Sequence, residues 1–223
     1  MSGRFITFEG GEGAGKSTQI ARLADRLKEA GVAAIATREP GGSAKAERIR
    51  EKVLAGAARP FGPFAEALLF SAARIDHLRE TIRPALARGA FVLCDRFSDS
   101  TRAYQGVLGD IDPSLMRALE WATLDGTRPD LTFILDLPAE IGLARAAERR
   151  RAEGKDADRF EGEGRAFHER LRDAFLAIAH DEPGRCVVID AAREPDLVAG
   201  DIWRSVADRL LGQVPTELTA SDG

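Results

Sequence analysis

Residues 4–17 read RFITFEGGEGAGKS, and no other stretch of the chain limits its fold so tightly. A short apolar run with strand character, Arg4 to Glu9, leads straight into Gly10-Gly11-Glu12-Gly13-Ala14-Gly15-Lys16-Ser17. That octet satisfies G-x-x-x-x-G-K-[ST] in full, and an amphipathic helix is expected to begin near Lys16. The glycines let the backbone wrap closely enough for its N–H groups to face phosphate oxygens, and the helix N-terminus adds partial positive charge. In such a loop Lys16 bridges the β- and γ-phosphates of a nucleoside triphosphate and the Ser17 hydroxyl ligates Mg²⁺. Gly10 to Thr18 are therefore the expected ATP-binding residues, with Ser17 as a metal ligand. The bland alternative, a glycine-rich loop that merely turns, leaves the register of strand, motif and helix unexplained.

The loop opens a regular succession. Four further β-type runs follow, Ala33 to Arg38, Ala90 to Asp95, Leu131 to Asp136 and Cys186 to Asp190. Most are continuous apolar runs, as expected of parallel strands buried on both faces. Between them lie helical stripes: Ile20, Leu23, Ala24 and Leu27; then Phe167, Leu171, Ala174, Phe175 and Ile178; then Val198, Ile202, Val206 and Leu210. Strand alternating with helix predicts right-handed crossovers and an α/β fold, a five-stranded parallel sheet with helices on both faces. Ligands of such sheets bind beyond the carboxyl ends of the strands. Glu9, Arg38, Asp95 and Asp136 end four of the strands and are well placed for that crevice.

At 223 residues the chain suits one domain, expected over 1–212, with 213–223 as a frayed tail. The net charge of −4 disfavours a long nucleic acid partner. Cys94 and Cys186 each sit in an apolar run, which predicts buried thiols rather than a disulfide or metal site. No basic leader and no membrane-length apolar segment are seen, so a cytoplasmic location without membrane attachment is expected. The chain has no asparagine, hence no Asn-Lys-x-Asp guanine-reading motif, and its size favours a small nucleotide or metabolite kinase.

Four further motifs carry more chemistry. Arg38-Glu39-Pro40-Gly41-Gly42 is a rigid turn holding a cation and a carboxylate at a strand end, or else a plain turn with a solvated arginine. Phe70 and Arg74 lie four apart on one helix face, where a ring and a guanidinium can grip a flat base; taken alone, Phe70 reads more readily as core. Asp95-Arg96-Phe97, Ser100-Thr101 and Ala103-Tyr104-Gln105 follow the third strand. There Asp95 can hold Mg²⁺ or orient an acceptor phosphate, and Arg96 can neutralise it. Arg145, Arg149-Arg150-Arg151 and Asp158-Arg159-Phe160-Glu161 form an arginine-rich stretch, which by composition alone is as readily a solvated face.

Together, and in this order from Phe5 to about Leu210, these motifs resemble the thymidylate kinase (dTMP kinase) family. The resemblance implies the P-loop nucleoside monophosphate kinase fold, ATP and dTMP as small-molecule substrates, Mg²⁺, and a homodimer. It implies that Arg38 and Arg96 meet the acceptor phosphate and that Phe70 stacks on thymine while Arg74 bonds to its carbonyl. Thr101 and Gln105 would lie near the base edge. Tyr104 would pack beneath the sugar and disfavour a ribose 2′-hydroxyl, and Glu12 would bind the 3′-hydroxyl. The stretch at about 145–160 corresponds to the lid of the bacterial branch, where a lid arginine replaces the P-loop arginine that Glu12-Gly13 lacks. Arg149, then Arg150, are the preferred candidates. Lys16, Asp95, Arg96 and the lid arginine make up the expected catalytic set. Two other readings remain at this point: a kinase for another small acceptor, and a nucleotide-dependent switch whose P-loop governs partner binding.

Overall fold

The computed structural model describes residues 2–154 and 160–212. In chain order the elements are β1 (Phe5–Glu9), α1 (Lys16–Glu29), β2 (Ala34–Arg38), α2 (Ala44–Leu54), α3 (Gly62–His77), α4 (Arg83–Ala87), β3 (Phe91–Asp95) and α5 (Ser98–Thr101). Then come α6 (Pro113–Leu124), β4 (Leu131–Asp136), α7 (Ala139–Glu153), α8 (Arg165–Asp181), β5 (Cys186–Asp190) and α9 (Pro195–Val206). Wider, π-type turns join α3 to α4 (Leu78–Ile82) and extend α5 (Arg102–Val107) and α9 (Ala207–Leu211). A single-residue bulge of this kind turns the side chains that follow it by part of a helical step.

The five strands are parallel in the order β2-β3-β1-β4-β5. Each expected strand is present and ends where the sequence placed its end; β1, β2 and β3 start one residue later than expected, at Phe5, Ala34 and Phe91. β1 lies between β3 and β4, so the chain leaves the sheet in opposite directions on either side of it, and the crevice opens at the carboxyl end of β1.

The apolar runs of the central strands serve two layers. Ile6, Phe8, Leu93, Phe133 and Leu135 face one side and pack against Ile20, Leu23 and Leu27 of α1 and Val198, Ile202 and Val206 of α9. Phe5, Val92 and Cys94 face the other, against Phe97, Leu78, Ile82 and Leu124, while Ile134 meets Leu171, Phe175 and Ile178 of α8. Burial of each such large side chain is worth about 1.5–3 kcal/mol. All three expected stripes therefore face the sheet. Burial on both faces holds for β1, β3 and β4 but not for the edge strands, since β2 is at most half-buried and Val188 of β5 is exposed. Both cysteines are buried free thiols.

Candidate active site

The P-loop leaves the buried end of β1 and closes onto α7. Gly13 has φ +66°, and a Cβ there would stand 2.2 Å from the carbonyl oxygen of Gly142; a Cβ on Gly142 would stand 2.2 Å from that of Glu12. Two glycines from distant segments thus let loop and helix touch backbone to backbone. Gly142 carried no signal in the sequence because its partner is not local. Lys16 is buried, and its ammonium donates to the carbonyls of Gly10 (3.2 Å) and Gly11 (2.8 Å). Burial pulls its pKa down and Arg96 adds to this, while Asp95, Glu12 and Glu9 oppose both. The Ser17 hydroxyl donates to Asp95 Oδ2 at 2.7 Å. A hydroxyl and a carboxylate brought together in this way are hard oxygen donors, which fits Mg²⁺ completed by phosphate oxygens and water.

The Asp-Arg step after β3 is bent by Arg96, whose φ of +65° lies in the left-handed region that side-chain-bearing residues rarely adopt. Such a conformation persists only where its surroundings hold it. Here Arg96 donates to Glu12 Oε1 at 2.6 Å, the Gly10 carbonyl at 3.1 Å and Ser100 Oγ at 3.3 Å, and its guanidinium lies 5.3 Å from the Tyr104 ring centroid. The Tyr104 hydroxyl also donates to Glu12 Oε1, at 3.2 Å. Burial alone would push the Glu12 carboxyl up; Arg96, Lys16 and Tyr104 overcome it and hold the pKa at about 2. Glu12 is thus an anion that ties the P-loop to Arg96 and Tyr104 in the segment after β3.

A cleft of about 540 Å³ collects these groups. Of the residues expected to bind acceptor or metal, Glu12, Ser17, Arg38, Phe70, Arg74, Asp95, Arg96, Thr101, Tyr104 and Gln105 all line it, as do Lys16 and Arg149. Gly13, Ala14, Gly15 and Thr18 line it too, whereas Gly10 and Gly11 supply the carbonyls that hold Lys16. Phe70 is half-buried at the cleft wall rather than in the core. Arg38 stands at the rim, with its side chain 57% exposed and paired to Glu47 of α2 at 3.1 Å. Near the end of α7, Arg149 and Arg150 both reach Glu161, each at 3.1 Å. Arg149 lines the cleft, while Arg150 does not contribute to its wall. Asp158 and Arg159 lie outside the described residues.

Two expected ligand groups are engaged elsewhere. Asp136 at the end of β4 is bound by Arg172 of α8 through two hydrogen bonds. Glu9 is fully buried; its Oε1 accepts from the N–H groups of Phe97 (2.7 Å) and Ser100 (3.2 Å), and its Oε2 accepts from Ser100 Oγ (2.6 Å). It caps α5 instead of meeting solvent. Burial and, next, the nearby Asp99 raise its pKa to about 7 against the opposing pull of these bonds and Arg96. Arg102, to which the sequence assigned no role, ties Asp99 to Glu182 at the turn before β5.

A second recess of about 410 Å³ adjoins the P-loop on the α7 side. Arg145, Arg149, Arg193 and Pro195 line it with Gln19, whose amide donates to the Pro195 carbonyl at 3.0 Å. Arg193 and Pro195 escaped the sequence reading, because only the fold brings the segment after β5 beside the loop after β1.

A family model described as thymidylate kinase matches residues 8–202. The chain belongs to the thymidylate kinase family. It is 59% identical over 209 residues to a thymidylate kinase of Bradyrhizobium diazoefficiens, covering 94% of this chain and 91% of that protein. It is also 59% identical over 212 residues to one of Rhodopseudomonas palustris, covering 95% and 91%. A crystal structure of thymidylate kinase from Ehrlichia chaffeensis superposes with a TM-score of 0.72 at 33% identity, over 92% of this chain and all of that one. Family membership agrees with the order of motifs along the chain, and the cleft is where those motifs meet.

Proposed function

We propose that the chain transfers the γ-phosphoryl group of ATP to the 5′-phosphate of dTMP, giving dTDP and ADP. The observation that carries this reading is the single cleft joining a full P-loop to an acceptor pocket with an aromatic face, a buried arginine and a signature arginine. Transfer asks for alignment and charge neutralisation, because an acceptor phosphate is a competent nucleophile at neutral pH and needs no general base. Lys16 leaves its loop carbonyls for the β- and γ-phosphates, and the recess lined by Arg145 and Arg193 receives the nucleoside end of ATP. Arg96 and Arg38 face the acceptor phosphate, and Glu12 with Tyr104 borders the deoxyribose. Phe70 offers a stacking face to the base and Arg74 a hydrogen-bond donor. Arg149 is the lid cation for the charge that crosses, and exchanging Glu161 for phosphate releases it. Ser17 and Asp95 would hold Mg²⁺, which on binding neutralises phosphate charge and orients the transferred group.

The reaction belongs in the cytoplasm, where its substrates are; among the described residues no helix is long and apolar enough to cross a membrane. A homodimer is part of the same reading. Leu68 and Ile75, seven residues apart on α3, are exposed together with Trp121 (75%) on the adjoining α6, an apolar face suited to a second copy. Sedimentation at micromolar concentration tests that.

The activity is tested by ADP release with ATP–Mg²⁺ and a panel of dTMP, dUMP, UMP, CMP, AMP, GMP and thymidine. Turnover with dTMP, alone or with weaker dUMP, is expected. ADP release at background with every acceptor would end the kinase reading.

A further inference from the structure

The turn Arg38-Glu39-Pro40-Gly41-Gly42 sends its two charges in opposite directions. Arg38 stands at the rim, whereas Glu39 is buried and meets two side chains of α3. Its Oε2 accepts from Arg74 Nε at 2.7 Å, and its Oε1 pairs with His77 Nδ1 at 3.0 Å. His77 is wholly buried, and its Nε2 lies 2.7 Å from Thr37 Oγ1. The roles along this chain follow from the inventory of donors. The Glu39 carboxylate accepts from His77 Nδ1, and His77 Nε2 and the Thr37 hydroxyl share the second hydrogen bond. Gly42 packs directly against the line: it has φ +81°, and a Cβ there would stand 2.3 Å from His77 Nε2 and 2.6 Å from Thr37 Oγ1.

Arg74 itself is held on two sides. Nε is bound to Glu39, and one terminal nitrogen, NH2, donates to the Phe97 carbonyl (3.0 Å) and to Thr101 Oγ1 (3.1 Å). The guanidinium is planar, so fixing these two positions fixes the direction of NH1 as well. Arg74 lines the acceptor cleft beside Phe70.

We propose that Thr37, His77 and Glu39 form a positioning relay that sets the tilt of Arg74, and through it the preference for a pyrimidine with a 4-carbonyl over one with a 4-amino group. The proposal rests on the reading of Arg74 as a base contact. A rigid donor aimed at position 4 donates to a carbonyl oxygen and meets an amino group donor to donor, so discrimination depends on how well the donor is aimed. Thr37 and His77 do not line the cleft, whereas Glu39 does, and they act through it.

The test compares kcat and KM for dTMP and dCMP in wild type, Thr37→Val, Thr37→Ser, His77→Leu and Arg74→Lys. Loss of one hydrogen bond at Thr37→Val is expected to raise KM for dTMP and to lower the dTMP-to-dCMP ratio of kcat/KM about three- to tenfold. The kcat at saturation and the KM for ATP stay within about twofold, and Thr37→Ser restores the ratio. His77→Leu cuts both bonds and gives at least the same change; should it fail to fold, Thr37→Val carries the test. Arg74→Lys keeps the charge but loses the fork, and it relaxes the ratio further. A ratio that relaxes in Arg74→Lys but stays at the wild-type value in folded Thr37→Val overturns the relay alone. An equal fall of kcat/KM for both acceptors in Thr37→Val, a merely structural effect, also overturns it. A wild-type ratio in Arg74→Lys overturns the base-contact reading and the relay with it.

Discussion

Replacing Glu9 with glutamine separates the energetic burden of a buried charge from the bonds that charge makes. The carboxyl is fully buried, and its pKa is raised from 4.5 to about 7 by burial first and Asp99 second. The unfolded chain releases this proton near 4.5 and the folded chain only near 7, so between those values the native state binds more protons. Stability therefore falls as pH rises through that window and is lowest, for this group, above 7. The rise corresponds to roughly 3 kcal/mol. A glutamine can keep all three contacts: its carbonyl oxygen accepts from the N–H groups of Phe97 and Ser100, and its amide donates to Ser100 Oγ. Because it does not titrate, Glu9→Gln should gain on wild type by up to about 3 kcal/mol between about pH 5 and about pH 8, whatever the offset at pH 5. For a domain of this size that is roughly 6–12 °C in Tm. Urea unfolding of both proteins across the range measures it, and comparison at each pH cancels the titration of groups remote from Glu9. A stability difference independent of pH would refute the reasoning.

Three further outcomes are expected. Glu12→Gln should show the opposite sign: the Glu12 pKa lies at about 2, below its usual 4.5, so its ionic contribution is present above 4.5 and lost as pH falls toward 2. The variant is therefore less stable than wild type at pH 7 by up to about 3 kcal/mol, and the gap narrows on acidification below pH 4.5, as followed by thermal melts. Lys16→Ala should lower kcat by about 10²–10³-fold or more while circular dichroism reports an intact fold, since among the described residues the hydrogen bonds of the removed ammonium go to loop carbonyls. Gly42→Ala should destabilise by about 2–4 kcal/mol in chemical denaturation, from left-handed strain together with the clash against His77 and Thr37.

Much of the site was legible because its chemistry is written in short, local patterns. The P-loop octet, the Asp95 to Gln105 signature and the four-residue spacing of Phe70 and Arg74 each name residues that fold into one wall of the cleft. The order of apolar runs was enough for the α/β class and for the strand ends, since a run of buried side chains and the polar residue that stops it are neighbours in sequence. What the sequence could not decide was the direction of charges at those ends. Glu9, Arg38, Asp95 and Asp136 look equivalent there, yet Glu9 caps α5 and Asp136 binds Arg172, leaving Arg38 and Asp95 to the cleft. Glu39 and His77 read as a turn residue and a helix residue 38 positions apart, and they become one network only when β2 and α3 are brought together. Gly142 and Arg193 gain their places in the same way. Residue type and spacing report what a side chain can do; which partner satisfies a buried donor or carboxylate is a non-local choice, made when the sheet order β2-β3-β1-β4-β5 sets distant segments side by side.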